Sequence, residues 1–199
     1  SNDEDNEEQF YTHSKIHRVP IGQNQFRNYH CREIHDEKCP LCGIYRELWK
    51  EPYGREEDKK LARMIKGRDR FYLNVVDRAA QEHGEELFVK ILSVPQTLFS
   101  TIIESMIDDT EPVDLIDMDN GHDFIINKKI EDGFPKYTSS QPRMKPTPLG
   151  TAQEKAIALE QRHNLKALVK LYDYDEGVQL VEGLRPDLSV NRFNSDIES

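Results

Sequence analysis

All three cysteines of the chain lie between residues 31 and 42, in a stretch rich in charged side chains. Cys39 and Cys42 form a C-x₂-C pair, whose tight turn lets two thiolates bind one metal ion. Cys31 lies eight residues upstream of Cys39, close enough to supply a third thiolate. Three free thiols are the alternative, but a loop this polar would not bury bare cysteines. The odd cysteine count also predicts reduced thiols in an intracellular protein.

A tetrahedral Zn²⁺ ion needs a fourth ligand, and histidine is the usual partner of three cysteines. His17 is far enough upstream to arrive on a separate strand, which gives the pattern H-x₁₃-C-x₇-C-x₂-C. His35 would close a very small ring, and His30 is a direct neighbour of Cys31. The preferred ligand is therefore His17, with His35 as the alternative. Four protein ligands leave no position for water, so the pattern indicates one structural zinc ion.

The elements around this motif are read from hydrophobic periodicity. Apolar residues alternate along residues 71–76 and again along 87–91, which predicts two paired strands. The residues Leu98, Ile102 and Met106 form the apolar stripe of a helix that opens near Pro95. Further predictions are a strand from Phe124 to Ile130, a proline-rich strap without regular structure at residues 133–150, and a helix from Thr151 to Tyr172 with Leu165, Leu168, Val169 and Tyr172 on one face.

These elements predict a mainly β protein with helices. The expected architecture is an OB-fold-like five-stranded barrel with an inserted zinc-binding loop and a C-terminal helix. Residues 1–12 are expected to be an acidic flexible arm, 13–185 a zinc-containing core, and 186–199 a loosely ordered tail. No stretch is long and apolar enough to span a membrane.

The zinc pattern, together with five later segments in matching order, resembles the single-stranded DNA-binding (helix-destabilising) proteins of T-even-type bacteriophages. The resemblance covers roughly residues 15–150, although the chain starts with an acidic segment where that family usually has a basic arm. The segments are RFYLNVVD at 70–77, ELFVKIL at 86–92, EPVDL at 111–115, GHDFII at 121–126 and GFPKY at 133–137.

The resemblance implies an OB-fold, one structural zinc and no enzymatic activity. It implies binding of single-stranded DNA without strong sequence preference, which protects and organises the strand during phage DNA replication, recombination and repair. The implied partners are single-stranded DNA, further copies of the chain along the strand, and phage replication and recombination proteins. The implied location is the cytoplasm of the infected bacterial host.

Charge is segregated along the chain, although its net value of −10 argues against a nucleic-acid partner. Residues 59–70 carry six cations against one acid, and residues 104–123 carry eight acids without a cation. Such segregation can build one positive face on an acidic body. Two unrelated solvated surfaces are the alternative interpretation.

A sequence-tolerant single-strand binder needs cations for the phosphates and flat rings for the bases. Tyr72 and Tyr137 are flanked by cations and are the expected base platforms. Trp49, which shares a helix face with Tyr45, is expected to anchor the core instead. The expected phosphate contacts, in a basic and aromatic-lined cleft, are Lys66, Arg68, Arg70, Lys128, Lys136 and Arg143.

Two other function classes compete with DNA binding. One is a zinc-stabilised protein–protein interaction module, in which the acidic region 104–123 docks a basic partner. The other is a metal-dependent hydrolase, in which Asp117, Asp119 and Asp123 bind Mg²⁺. The sequence holds neither an open metal position nor a paired nucleophile and base, so a non-enzyme is expected.

Overall fold

The computed structural model describes residues 10–50, 52–83 and 86–186. Most of the expected acidic arm and nearly all of the expected tail lie outside the described residues. The chain divides into two compact units. We call Ser14–Arg70 with Ala167–Ser199 the cysteine unit, and Ser1–His13 with Phe71–Lys166 the strap unit.

The described chain is mixed α/β. Two short 3₁₀ helices, Arg32–His35 and Leu165–Leu168, accompany the main elements. The strands are β1 (Tyr11–Gly22), β2 (Gln25–His30), β3 (Arg68–Val76), β4 (Val89–Pro95), β5 (Phe124–Ile125), β6 (Lys129–Glu131), β7 (Phe134–Lys136) and β8 (Gln141–Pro142). The helices are α1 (Pro40–Glu47), α2 (Glu56–Ile65), α3 (Arg78–Glu82), α4 (Gln96–Met106), α5 (Ala152–Glu160) and α6 (Tyr174–Leu184).

The largest sheet of the described residues has four strands, in the order β2-β1-β3-β4. Strands β5 and β8 form one two-stranded sheet, and β6 and β7 form another. The expected count of five barrel strands is therefore not confirmed. The expected pairing of the strands near residues 71–76 and 87–91 is confirmed, because β3 and β4 are neighbours in the sheet. None of the helices in the described ranges has the length and apolar character needed to cross a membrane.

The core of the cysteine unit lies between the β1–β2 hairpin and helices α1, α2 and α6. Tyr29, Leu41 and Ile65 are fully buried in it. Helix α6 packs against α1 and is held by the Tyr29 hydroxyl, which donates to the Asp173 carbonyl oxygen at 3.3 Å. Aromatic and aliphatic burial of this kind is the main stabilising term of a small unit.

The core of the strap unit is built on β3 and α4. The rings of Phe71 and Phe99 stack with centroids 3.8 Å apart. Leu98 and Ile102 are buried, and Met106 packs against the same cluster, which confirms the predicted stripe of α4. Pro95 is the N-cap of that helix, directly before the first turn in which the sequence analysis placed it.

The predicted helix from Thr151 to Tyr172 is wrong beyond Glu160. The chain leaves the helix because the backbone of His163 forms hydrogen bonds with strand β3 and not with the preceding turn of α5. The His163 N–H donates to Asn74 Oδ1 at 3.0 Å, and Asn74 Nδ2 donates to the His163 carbonyl oxygen at 3.1 Å. The C-terminal helix is α6, which belongs to the cysteine unit.

The predicted strand from Phe124 to Ile130 is also wrong as one element. It breaks at Asn127, whose N–H donates to Ser140 Oγ at 3.0 Å and whose side-chain amide donates to the Ser139 carbonyl oxygen at 2.8 Å. The strap is not free of regular structure either, because β7 and β8 lie within it.

Candidate metal centre and nucleic-acid interface

Three local elements bring the cysteines and His17 together inside the cysteine unit. His17 lies on β1, where it pairs with Tyr29 across the hairpin. Cys31 directly follows β2, and its N–H donates to the Lys15 carbonyl oxygen at 2.7 Å. Cys39 is the N-cap of α1 and Cys42 lies in its first turn, with Pro40 at the first helical position. All four metal-ligand candidates are buried.

The spacing of the four ligand atoms suits a tetrahedral ion. The Sγ atoms of Cys31 and Cys42 are 3.5 Å apart, and His17 Nε2 lies 3.6 Å from Cys39 Sγ and 3.5 Å from Cys42 Sγ. Zinc bonds of about 2.3 Å to sulfur and about 2.0–2.1 Å to nitrogen put neighbouring ligand atoms about 3.5–3.8 Å apart. A zinc ion therefore fits this group, with all four positions filled by protein.

The orientation of His17 is fixed from its other side. Its Nδ1 lies 2.7 Å from the carbonyl oxygen of Ile65, at the end of α2. An Nδ1–H donating to that oxygen leaves Nε2 as the free lone pair facing the sulfur atoms, an arrangement that metal-binding histidines commonly have. His35 is exposed and lies outside the group. The geometry therefore favours His17 over His35.

The side chains of this cluster shift the pKa values of His17, Cys39 and Cys42. Burial by itself lowers the pKa of His17, but the sulfurs of Cys31 and Cys39 stabilise its protonated form and raise that pKa to about 10. Hydrogen bonds from Cys31 and Cys42, with His17 alongside, hold the pKa of the Cys39 thiol well below its usual range. Hydrogen bonds to Cys31 and Cys39 and burial raise the pKa of Cys42. Metal binding would displace the protons that this cluster shares.

The three acidic residues considered for a hydrolase site form hydrogen bonds and ion pairs within the fold. Asp117 Oδ1 accepts the backbone N–H groups of Asp119 and Asn120 at 2.6 and 3.0 Å, which closes a turn and lowers the pKa of Asp117. Asp119 is paired with Lys155. Asp123 accepts from Arg78 Nε at 3.0 Å. These contacts account for all three carboxylates without a metal ion.

Strand β3 carries cations and a ring in one row. Arg68, Arg70 and Tyr72 occupy alternate positions, so they share one face of the strand. Phe71 and Leu73 occupy the other face and are buried, as the alternation predicts. The packing of Phe71 and Leu73 in the core fixes the orientation of β3, and with it the face that carries Arg68, Arg70 and Tyr72.

The hairpin of β6 and β7 is the strongest feature that the sequence interpretation missed. Asp132 and Gly133 both have positive φ, 51° and 78°, and form the tight two-residue turn that Asp-Gly favours. The pairing Glu131↔Phe134 and Lys129↔Lys136 places these four side chains on one face. Phe134 is 65% exposed. The signal was the Asp-Gly pair, which the nearby prolines obscured.

The remaining candidates differ in exposure. Lys128 and Lys136 are exposed, and Lys136 flanks the exposed ring of Phe134 within β7. Tyr137 is half-buried and packs against the Phe71 cluster. Arg143 is about half exposed and lies 3.7 Å from Asp123.

The candidate DNA contacts are divided between the two units. Tyr72, Tyr137, Lys128, Lys136 and Arg143 belong to the strap unit. Within this unit, Lys128 and Lys136 flank the β6–β7 hairpin.

The other candidates lie in the cysteine unit. Lys66 follows α2, and Arg68 and Arg70 open β3. Trp49 is not the core anchor that we expected, because 42% of its surface is exposed and the guanidinium of Arg63 lies 5.7 Å from its ring centroid.

Comparison with known proteins identifies a family. No curated protein sequence matches the chain. A family model described as gp32 DNA binding protein like matches residues 5–184, which span both compact units and include all four metal-ligand candidates. Proteins of this family bind single-stranded DNA. The chain belongs to the gp32 DNA-binding-protein-like family.

Proposed function

We propose that this chain binds single-stranded DNA without strong sequence preference. The observation that carries the proposal is the row Arg68, Arg70 and Tyr72 on the face of β3 opposite the buried Phe71 and Leu73. Two cations at alternate positions match a phosphate backbone, and a tyrosine next in line offers a surface for an unstacked base. Family membership supports the same conclusion.

The β6–β7 hairpin supplies a second group of the same composition. Lys129, Phe134 and Lys136 share one of its faces, with Lys128 just before it. Because the Phe134 ring is 65% exposed, it is accessible for stacking on an unpaired base. We assign Phe134 as a base platform and the lysines as phosphate contacts, with Tyr137, Lys66 and Arg143 as further contacts.

The role proposed for the metal is structural. One zinc ion bound by His17, Cys31, Cys39 and Cys42 would tie β1, the end of β2 and the start of α1 into one unit. The ion would leave no coordination position for substrate, so its contribution would be folding free energy. This supports a binding protein and not an enzyme.

The wider setting follows from the family and from the sequence resemblance. We infer an OB-fold-like architecture, protection and organisation of single strands in phage DNA replication, recombination and repair, and action in the cytoplasm of an infected bacterium. Copies of the chain along the strand and replication and recombination proteins are the partners proposed for it.

The interaction-module interpretation has less support. Asp108 Oδ1 accepts the N–H groups of Thr110 and Glu111 at 2.8 and 2.9 Å, and Asp114 and Asp117 close similar turns. These carboxylates shape the acidic region, which gives them a role without a basic partner.

The test is the affinity of fluorescein-labelled oligo-dT for variants of β3, measured by anisotropy across a salt series. Tyr72→Ala should weaken binding by about 1–3 kcal/mol, the range for one stacked base, with an unchanged salt slope. Arg70→Ala should lower the slope by about 0.7, the value for one phosphate contact on a single strand. Lys166→Ala, an exposed cation of a 3₁₀ helix, is the control and should match the wild type. Equal binding by Tyr72→Ala, Arg70→Ala and the control would refute the role of β3.

A further inference from the structure

An open groove in the strap unit has a lining that the packing of the core does not explain. Its volume is about 420 Å³. Ile125, Pro142 and Met144 supply apolar surface, and Arg143 and Lys145 supply positive charge. Met144 is 98% exposed, so it contributes nothing to the core. Apolar surface beside cations is the combination that nucleotides need.

Backbone hydrogen bonds fix the shape of this groove. Ile125 pairs with Gln141 across β5 and β8. The Arg143 N–H donates to the Asp123 carbonyl oxygen and the Thr147 N–H to the Gly121 carbonyl oxygen, both at 2.8 Å. The strap is thus held on both sides of residues 144–146, whose exposed side chains project between the two points.

Arg78 holds the far end of the same segment. Its guanidinium donates to the carbonyl oxygens of three successive residues, at 3.2 Å to Thr147, 2.5 Å to Pro148 and 2.8 Å to Leu149. The same group donates to Asp123 at 3.0 Å and to Gln81 Oε1 at 2.9 Å. Only a guanidinium offers this many donors in one plane.

The charge of the groove favours an anion. Its described lining residues include two cations, Arg143 and Lys145, and no carboxylate. Asp123, just before β5, is shared by Arg78 and Arg143. Within the described ranges, Lys145 makes no ion pair. The residues that line the groove therefore carry net positive charge.

We infer that this groove is a nucleotide subsite for single-stranded DNA, a conclusion that rests on the proposed function. A base lies against Ile125 and Met144, and the adjoining phosphate is bound by Lys145 and Arg143. Arg78 is a positioning residue, since it touches the strap and not the strand. The volume is within the range of small-ligand sites, and the open sides let the strand continue in both directions.

The test compares two labelled probes, oligo-dT and an abasic strand of equal length, by anisotropy across a salt series. Ile125→Ala and Met144→Ala should each weaken oligo-dT binding at least about threefold, a smaller loss than for an aromatic platform, and leave abasic binding unchanged. Lys145→Ala should lower the salt slope by about 0.7 on both probes. Ile107→Ala and Lys166→Ala, both exposed and outside the groove, should match the wild type.

Arg78 is tested with two substitutions. Arg78→Gln should reduce the ratio of oligo-dT to abasic affinity, because the base-facing wall loses its support. Arg78→Lys keeps the charge but cannot bridge three carbonyl oxygens, so it should behave like Arg78→Gln. Recovery of the wild-type ratio by Arg78→Lys would show that charge alone matters and would overturn the positioning role.

The outcomes separate the inference from the proposed function. Wild-type protein that does not bind oligo-dT refutes both. Binding by the wild type with Ile125→Ala, Met144→Ala and Lys145→Ala unchanged on both probes refutes the subsite alone. If a labelled polyglutamate peptide binds the wild type but not Lys145→Ala or Ile125→Ala, while oligo-dT binding is unchanged in both variants, the groove belongs to an acidic protein and the inference is overturned. Because these side chains are exposed, the variants should fold.

Discussion

The metal centre makes the most quantitative prediction, through the substitution His17→Ala. The change removes one of four ligands, deletes a fully buried ring and leaves the Ile65 carbonyl oxygen without its 2.7 Å partner. Deleting a large buried side chain costs about 2–5 kcal/mol. An unpaired buried carbonyl adds about 1–3 kcal/mol. The variant should therefore lose at least about 3 kcal/mol of unfolding free energy, before any loss of bound metal is counted.

Bound zinc adds a contribution that depends on its concentration. At a free concentration of about 100 times its dissociation constant, one zinc ion stabilises the folded chain by about 2.7 kcal/mol. A chelator should remove this contribution from the wild type and change His17→Ala little. The assay is urea unfolding with and without chelator, combined with zinc analysis of protein prepared without chelator.

His35→Ala is the matched control, because this histidine is exposed and outside the group. It should retain zinc and change the unfolding free energy by no more than about 0.5 kcal/mol. Full zinc content in His17→Ala, or loss of zinc in His35→Ala alone, would refute the assigned ligand set. A wild type indifferent to chelator would refute the structural role of the metal.

Three further predictions test packing, electrostatics and the hairpin. Gly177→Ala should destabilise the chain by about 1–3 kcal/mol in urea unfolding, because the new Cβ would collide with Pro40 and lie 2.7 Å from Tyr29 Oη. Gly183→Ala is the control on the same helix. Its Cβ would have no neighbouring atom within 4 Å, so it should not destabilise the chain. Burial raises the pKa of Asp58, but its contacts with Arg185 and Arg55 outweigh burial and lower that pKa below its usual 3.8. The stability difference between wild type and Asp58→Asn should therefore be present above about pH 4 and shrink as the pH falls through the lowered pKa. A difference that stays constant as the pH falls below about 4 would contradict this. Phe134→Ala should weaken oligo-dT binding by about 1–3 kcal/mol without changing the salt slope or, since the ring is 65% exposed, the urea midpoint.

The sequence was most informative where the determining contacts are local. The C-x₂-C pair and an upstream histidine on its own strand were sufficient to predict the ligand group that the fold brings together. Strand β3 and helix α4 were likewise predicted, because the alternation around Phe71 and the stripe of Leu98 and Ile102 each report burial on one side of a single element.

The failures involve contacts between residues far apart in the chain. The helix after Thr151 ends where His163 binds Asn74, a partner 89 residues away. Tyr172, expected on that helix, instead stacks on Tyr29 in the cysteine unit with ring centroids 5.6 Å apart. Hydrophobic periodicity carries no information on such partners.

Prolines misled the interpretation of the strap. Pro135 lies within β7 and Pro142 within β8, and each belongs to a two-stranded sheet, where a strand has an edge at which a missing N–H is tolerated. The prediction that Trp49 anchors the core was wrong for a different reason. A lone tryptophan gives no indication of which face of its helix is covered.

The central claim is selective binding of single strands, and the direct measurement is the affinity of the wild-type chain for labelled oligo-dT and for a duplex of equal length over a salt series. Backbone cations contact either form, but stacking on Tyr72 and Phe134 requires unpaired bases. We predict much tighter binding to oligo-dT at every salt concentration, with affinity for both forms falling as salt rises. Equal affinity for the two forms at moderate salt would contradict the account.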